Sequence, residues 1–584
     1  MSNELAHVVP DDVPEVMPDS PVEPRRRRVF HLSFSGPGLT VAALFFAVSL
    51  QPSLLPRAGY VQGVVSGITM MIGYGLGAGG QSLWNYLQVP KPKGRARSII
   101  FGLLIALVAW ATISGIWRQV GWQNDTRELF GMDPITPVIW PVILIVAAAV
   151  AAVILIVSRS LRLLFNTVIG WFGRHLPPRL AGVLGVGVLA VLIWLLLTGV
   201  LVNGFFAAAN VMFSGRDTAT PPGVEQPQSE LRSGSPESLV SWDSLGRQGR
   251  KFVALGPTVE QLDRFSGGGA IEPIRVYVGL KSAPELQERA DLLLAELQRT
   301  GAFDREVLVV ATTTGTGFLD PNGIDPLEYA FNGDTAIAGV QYSYLPSWIS
   351  LLADQQAVKE TSQTVFRTVH EYWSTLPEES RPKLYLYGLS LGSYGVESIL
   401  TSIDIVNEPI DGALMSGPPF VNPLHNTLEA AREPGTPPWQ PIYQDGATVR
   451  FTAEQEGFSK TPGPWGPARL VYLQHNSDPV VFFSPDLALE VPDWVLPGQR
   501  GPDISEDMGW FPLVTMWQVA LDLPGAGSIP EGFGHLYTAR ANLESWVQIA
   551  QPAGWTPAKT DALVEFMTAE AAAEKARLEA EQKS

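Results

Sequence analysis

The chain has 584 residues, a formal charge of −17 and no cysteine. The missing cysteine excludes disulfides, thiolate metal sites and a cysteine nucleophile, and the acidic balance argues against non-specific nucleic-acid binding. The length allows more than one domain, and the sequence holds no zinc-type histidine spacing, P-loop or internal repeat.

Residues 1–29 are expected to form a disordered cytoplasmic N-terminus, rich in Pro, Asp and Glu and closing on Arg25-Arg26-Arg27-Arg28. No small-residue cleavage site follows, so a cleavable signal peptide is not expected. Residues 30–213 read as an α-helical transmembrane domain of about five helices, at 36–54, 60–80, 98–117, 138–158 and 180–202, each near the ~20 apolar residues that a bilayer core requires. Gln51 and Pro52 interrupt the end of the first, and the second is rich in Gly, which suits close packing in lipid. Basic residues recur in alternate loops. They are Arg25 to Arg28 before the first span, then Lys91, Lys93, Arg95 and Arg97, then Arg159, Arg162, Arg174 and Arg179. The positive-inside rule puts the N-terminus in the cytoplasm of a plasma-membrane protein and, with an odd number of spans, everything after about Asn203 outside. The apolar stretch 161–173, with basic flanks, reads as an interfacial helix.

Residues 214–238 are rich in Ser, Pro, Gly, Thr and Gln and are expected to be a linker. In residues 239–556, strand-like runs at 274–278, 306–311, 336–344, 384–387, 412–416 and 470–473 alternate with helical patterns such as 283–299 and 353–376. This order predicts a mostly parallel sheet with helices on both faces. Residues 557–584 form an Ala- and Glu-rich helical tail, solvent-exposed at its end.

One stretch carries the chemistry. The apolar run 384–387 leads into Gly388-Leu389-Ser390-Leu391-Gly392, and a helical pattern follows from Ser393. Strand, G-x-S-x-G and helix together predict a nucleophile elbow. The turn strains the serine backbone, and side chains at the flanking glycines would collide with strand and helix. Ser390 then sits at a helix N-terminus, where N–H groups favour developing negative charge.

A serine hydroxyl needs a base within reach and a third group to orient that base. On such a fold the partners follow in the order Ser, acid, His. Asp478, in Gln474-His-Asn-Ser-Asp478-Pro-Val, lies just past a strand end, at the edge where open α/β sheets bind ligands. Asp411 precedes its strand and Asp486 is a third choice. Of the seven histidines, only His535, on the Gly-rich Glu531-Gly-Phe-Gly-His535 loop, follows both Ser390 and Asp478. The oxyanion hole is expected from the Leu391 N–H and from the Ala311-Thr-Thr-Thr-Gly-Thr-Gly317 loop, with Thr313 or Thr314 able to add a hydroxyl.

At these residues the chain resembles the actinobacterial membrane-anchored α/β-hydrolases, which join an N-terminal multi-span region to a C-terminal hydrolase domain. Ser53-Leu-Leu-Pro-Arg57, Ser241-Trp-Asp-Ser-Leu-Gly-Arg-Gln-Gly249, the 311–317 loop, Gln341-Tyr-Ser-Tyr-Leu-Pro-Ser-Trp348, the elbow and the Asp478 loop carry the resemblance. It covers nearly the whole chain apart from its ends, and implies an α/β-hydrolase fold and a serine hydrolase.

The expectation is therefore an esterase or lipase acting on a cell-envelope lipid outside the cytoplasm, with no cofactor and no metal. If the acyl acceptor is another hydroxyl, the same groups make an acyltransferase. The alternative from another class is a catalytically silent hydrolase fold serving as a binding module in an envelope lipid complex. Arg57 is a candidate contact for a lipid phosphate headgroup. Trp348, Phe482, Phe483, Trp494 and Trp510 are candidates to line an acyl groove.

Overall fold

A computed structural model describes residues 34–90, 94–195, 199, 202–353, 355–402, 405, 408–454 and 457–581. The expected disordered N-terminus at 1–29, with its four arginines, lies outside the described residues, as do Lys91 and Lys93.

Among the described residues, seven strands form one sheet. They are β1 (Ile274–Val278), β2 (Val307–Thr312), β3 (Thr335–Val340), β4 (Lys383–Leu389), β5 (Gly412–Ser416), β6 (Val449–Thr452) and β7 (Arg469–Leu473). Their order is β1-β3-β2-β4-β5-β7-β6, and every pairing is parallel. A parallel sheet is covered on both faces, so its strands read as continuous apolar runs. The strands are accordingly buried almost throughout. Helices Leu286–Arg299, Gln355–Thr375 and Leu391–Leu400 pack together on one side. Helices Pro321–Ala330 and Ala539–Ala550 pack on each other, and Trp546 meets Tyr385 and Tyr387 of β4. This is the expected α/β-hydrolase fold; β6 is an additional edge strand.

The N-terminal region is helical: α1 (Gly36–Ser49), α2 (Gly59–Tyr86), α3 (Gly94–Leu129), α4 (Trp140–Phe172), α5 (Pro178–Leu195) and α6 (Val202–Asp217). Among the described residues, three helices are long and apolar enough to cross a membrane, fewer than the five expected: Gly59–Tyr86, Gly94–Leu129 and Pro137–Phe172. The first expected span ends early. Its helix has 14 residues, about 21 Å at 1.5 Å per residue, short of the ~30 Å hydrocarbon core. The fifth falls on a shorter apolar helix. Stretch 161–173 is no separate interfacial helix, because α4 runs through it as one piece.

Small residues let these helices approach. A Cβ on Gly77 of α2 would lie 2.5 Å from the Pro37 carbonyl oxygen of α1, and one on Gly67 would lie 2.8 Å from Cβ of Val150 on α4. The register makes α1 and α2 antiparallel and α2 and α4 parallel.

Residues 218–238 are not a free linker. Arg232 bridges to Arg275 of β1, the Ser233 N–H donates to the Arg275 carbonyl at 3.1 Å, and the Arg232 side chain pairs with Glu272 at 2.9 Å. The stretch adds itself to the sheet edge. The C-terminal tail is the helix Pro557–Glu581, which seats Leu563 beside Leu262, Tyr329 and Leu543.

A second apolar core is shared between the two regions. It joins Leu54, Leu55 and Phe130 of the N-terminal region to Phe482, Trp494 and Val519, among others, beyond β7. Phe482 and Trp494 are therefore core residues and not groove lining, while Phe483 and Trp510 are only partly buried against that core. The Trp348 side chain lies outside the described residues.

Candidate active site

Ser390 occupies the turn between β4 and the helix Leu391–Leu400, with φ 55° and ψ −127°. This is a left-handed backbone that a non-glycine residue adopts only when its surroundings enforce it. They do so here. The Ser390 N–H donates to the Ser416 carbonyl at 2.8 Å, and the Ser390 carbonyl accepts from the Ser393 hydroxyl at 2.7 Å. Behind it, the Asn422 amide donates to the Ser393 hydroxyl and to Glu397, whose carboxylate also takes the Tyr472 hydroxyl at 2.8 Å. Burial pushes the Glu397 carboxyl up, against those hydrogen bonds. A Cβ on Gly392 would stand 2.4 Å from the Thr312 carbonyl oxygen, so the elbow packs directly on the end of β2.

The acid and base come from neighbouring strand ends. Asp478 follows β7 and is fully buried. Its Oδ1 accepts from the Val480 N–H at 2.8 Å, and its Oδ2 faces His535 Nδ1 at 2.6 Å. The Tyr537 hydroxyl donates to the same Oδ2 at 2.7 Å. Burial holds that phenol well above its usual range, and the Asp478 charge adds to the effect. His535 Nε2 is buried and has no hydrogen-bond partner among the described residues. The imidazole lies over Gly417, where a Cβ would be 2.5 Å from its Cε1. Gly417 follows β5, and β5 pairs with both β4 and β7. The structure thus gathers Ser390, His535 and Asp478 at one edge of three adjacent strands.

The other candidates separate from them. Asp411 lies at the opposite edge, accepting from the Leu384 N–H and pairing with Lys383 at 3.2 Å. Asp486 lies in a surface turn capped by Ser484, whose hydroxyl accepts from the Asp486 N–H and donates to its carboxylate. The Leu391 N–H opens the helix after Ser390, as expected of an oxyanion donor. Thr313 requires correction as a hydroxyl donor. The Thr313 hydroxyl is spent on the Val340 carbonyl at 3.0 Å, and the Thr314 N–H on the Phe318 carbonyl at 3.0 Å. Arg57 is also corrected. It is buried, its Nε is 2.8 Å from Asp522 Oδ1, and its main-chain N–H donates to Gln123. A guanidinium so enclosed offers nothing to a headgroup.

Three groups escape the sequence reading. Tyr537 has no spacing signal beyond standing two residues after His535. His475 Nδ1–H donates to the Gly534 carbonyl at 2.8 Å. Burial lowers the His475 pKa, but the Glu454 carboxylate 3.4 Å away outweighs this and raises it. At that distance the contact is an ion pair and not a well-aligned hydrogen bond. Asp320 caps the helix Pro321–Ala330, and burial pushes its carboxyl up to about 7.

A parallel sheet with a strained serine elbow and a buried Asp–His pair at one edge defines an α/β-hydrolase. Residues 274–563 match an alpha/beta-hydrolase family, and residues 50–257 match the N-terminal part described for the same family. The chain belongs to that family. No curated protein and no solved structure matches it.

Proposed function

We propose that this chain is a membrane-anchored serine hydrolase that cleaves an ester of a cell-envelope lipid outside the cytoplasm. Ser390 Oγ attacks the ester carbonyl while His535 Nε2 takes its proton. Asp478 keeps the other ring nitrogen protonated and stabilises the imidazolium. The main-chain N–H groups of Leu391 and Thr313 receive the oxyanion. The imidazolium then protonates the leaving alcohol, and water, deprotonated by His535, releases the acid from the acyl-enzyme.

The observation that carries this reading is the His535 ring, tied to Asp478 at 2.6 Å and packed on Gly417, its other nitrogen without a partner among the described residues. Two features support a lipid substrate. The site lies where the loops after α1 and α3 meet the hydrolase domain through their shared core. The directions of α1, α2 and α4 put those loops at one end of the helices and Arg95, Arg159, Arg162 and Arg174 at the other, in keeping with a domain outside the cytoplasm.

The test is fluorophosphonate labelling of the full chain beside Ser390→Ala and His535→Ala. Labelling of the wild type that is lost in both variants is expected. A folded wild type that does not label moves the assignment to a silent binding module.

A further inference from the structure

The loop that carries His535 is not held by the hydrolase domain alone. Phe130, at the end of α3, is 1% exposed, and its ring centroid is 4.4 Å from that of Phe533. Leu55, in the loop after α1, places its Cδ2 3.2 Å from where a Cβ on Gly534 would stand. Phe533 and Gly534 are the two residues before His535. The third hold is indirect. The His535 N–H donates to the Ala526 carbonyl at 3.1 Å. Ala526 follows the helix Val514–Asp522 and its short 3-10 extension Leu523–Gly525. That helix ends on Asp522, which Arg57 and the Ser53 hydroxyl grip from the N-terminal region. The hydrolase side supplies the Ser477 hydroxyl, accepting from the Gly534 N–H at 3.0 Å, the His475 contact to the Gly534 carbonyl, and the Asp478 carboxylate on the ring itself.

We propose that the N-terminal region is part of the catalytic apparatus: Phe130 and Leu55 are positioning residues that set the His535 ring over Ser390. The inference rests on the hydrolase reading above. Neither side chain touches the reacting atoms. Each acts by closing one side of a loop whose own residues include glycine at 532 and 534, both with positive φ (88° and 51°). Such a loop is free to relax once its packing partners are gone. A general base displaced by even 1 Å loses much of its effect, because proton transfer requires hydrogen-bond reach.

The experiment uses the full chain in detergent micelles and a fluorophosphonate probe. Its readouts are the maximal labelling rate constant of Ser390 and the probe concentration giving half that rate. Phe130→Ala is expected to lower the maximal rate constant at least tenfold and leave the half-saturating concentration unchanged. Phe130→Leu, which refills most of the space, is expected to return to within about threefold of wild type. Phe303→Ala removes a comparable buried ring near the opposite sheet edge, so it should lower the melting temperature without slowing labelling of the folded fraction. If Phe130→Ala does not fold, Leu55→Ala carries the test, with a threefold or larger fall expected. A wild-type rate constant in the folded Phe130→Ala or Leu55→Ala protein overturns the inference and leaves the hydrolase reading standing. A wild type that does not label removes both.

Discussion

Arg57 and Asp522 form an ion pair of 2.8 Å across 465 positions of sequence, with both side chains 1% exposed. The Arg57 side chain bonds Asp522 through two nitrogens and reaches Gln62 through a third. Breaking such a pair from one side leaves an uncompensated buried charge, at a cost of about 3–5 kcal/mol. Arg57→Ala is therefore expected to lower the melting temperature strongly, whereas replacing both partners by apolar residues should cost less than half as much. Burial already pushes the Asp522 carboxyl up, and Arg57 pulls against it. Without Arg57 the folded carboxyl holds its proton more tightly, so stability is lost as pH rises. The variant's deficit should be smaller at pH 5 than at pH 8 in thermal melts followed by tryptophan fluorescence.

Asp478→Asn is expected to reduce turnover of a chromogenic ester by about 10⁴-fold with little change in KM, as when an orienting carboxylate is lost from such a triad. Tyr537→Phe removes one of the donors to Oδ2 and leaves the His535 contact in place. Its effect should be about tenfold, the low end of the ~1.5–3 kcal/mol attributed to hydrogen bonds to charged groups, because the other contacts of Asp478 remain. A Tyr537→Phe loss as large as that of Asp478→Asn would mean that the phenol does more than hold the carboxylate.

Gly392→Ala separates backbone propensity from collision. Alanine in a helix is favoured over glycine by about 1 kcal/mol, yet here its Cβ would meet the Thr312 carbonyl oxygen at 2.4 Å. The elbow must move away from β2. The expected result is loss of fluorophosphonate labelling together with a lower melting temperature; a stabilised, fully labelled variant would contradict the packing described.

Asp320 supplies a pH prediction. Burial raises its carboxyl to about 7; the Asn322 N–H opposes the rise, Asp325 and Glu531 add to it, and His535 opposes it. The unfolded value is near 3.9. A raised folded pKa means that the contribution to stability is complete below about pH 4 and is lost as pH rises through about 7. Asp320→Asn keeps a side-chain oxygen for the Asn322 N–H and does not titrate. Its melting temperature should vary less than that of wild type between pH 5 and pH 8.

How much of this was legible in the sequence depends on how local each feature is. The elbow was, because strand, G-x-S-x-G and helix are contiguous, and the chain order of Asp478 and His535 left few alternatives. β6 was not, since Val449–Thr452 is four residues long and alternates Val and Phe with Arg and Thr. The stretch 218–238 has a linker's composition, but composition does not register an open edge such as β1 offers. The first expected span counted Leu54 as a membrane residue, whereas it and Leu55 belong to the second core. Arg57 reads as a headgroup contact only while Asp522 is out of view. Thr313 has the right place and the wrong partner, since the Val340 carbonyl that takes its hydroxyl is on another strand.

The second core also sets an order of events during synthesis. Chains grow at about 5–20 residues per second, so the 465 residues between Arg57 and Asp522 take roughly 20–90 s to make. Through that interval Arg57 lacks its counter-charge, and Leu54 and Leu55 lack most of the core they will enter. All seven strands of the sheet have been made by residue 473, before that core is complete. His535 emerges just behind Asp522, on the segment that finally encloses the waiting arginine. On the reading proposed above, the catalytic base is installed by the same closure that joins the two regions, and a chain whose N-terminal helices have gone astray lacks the packing that seats it.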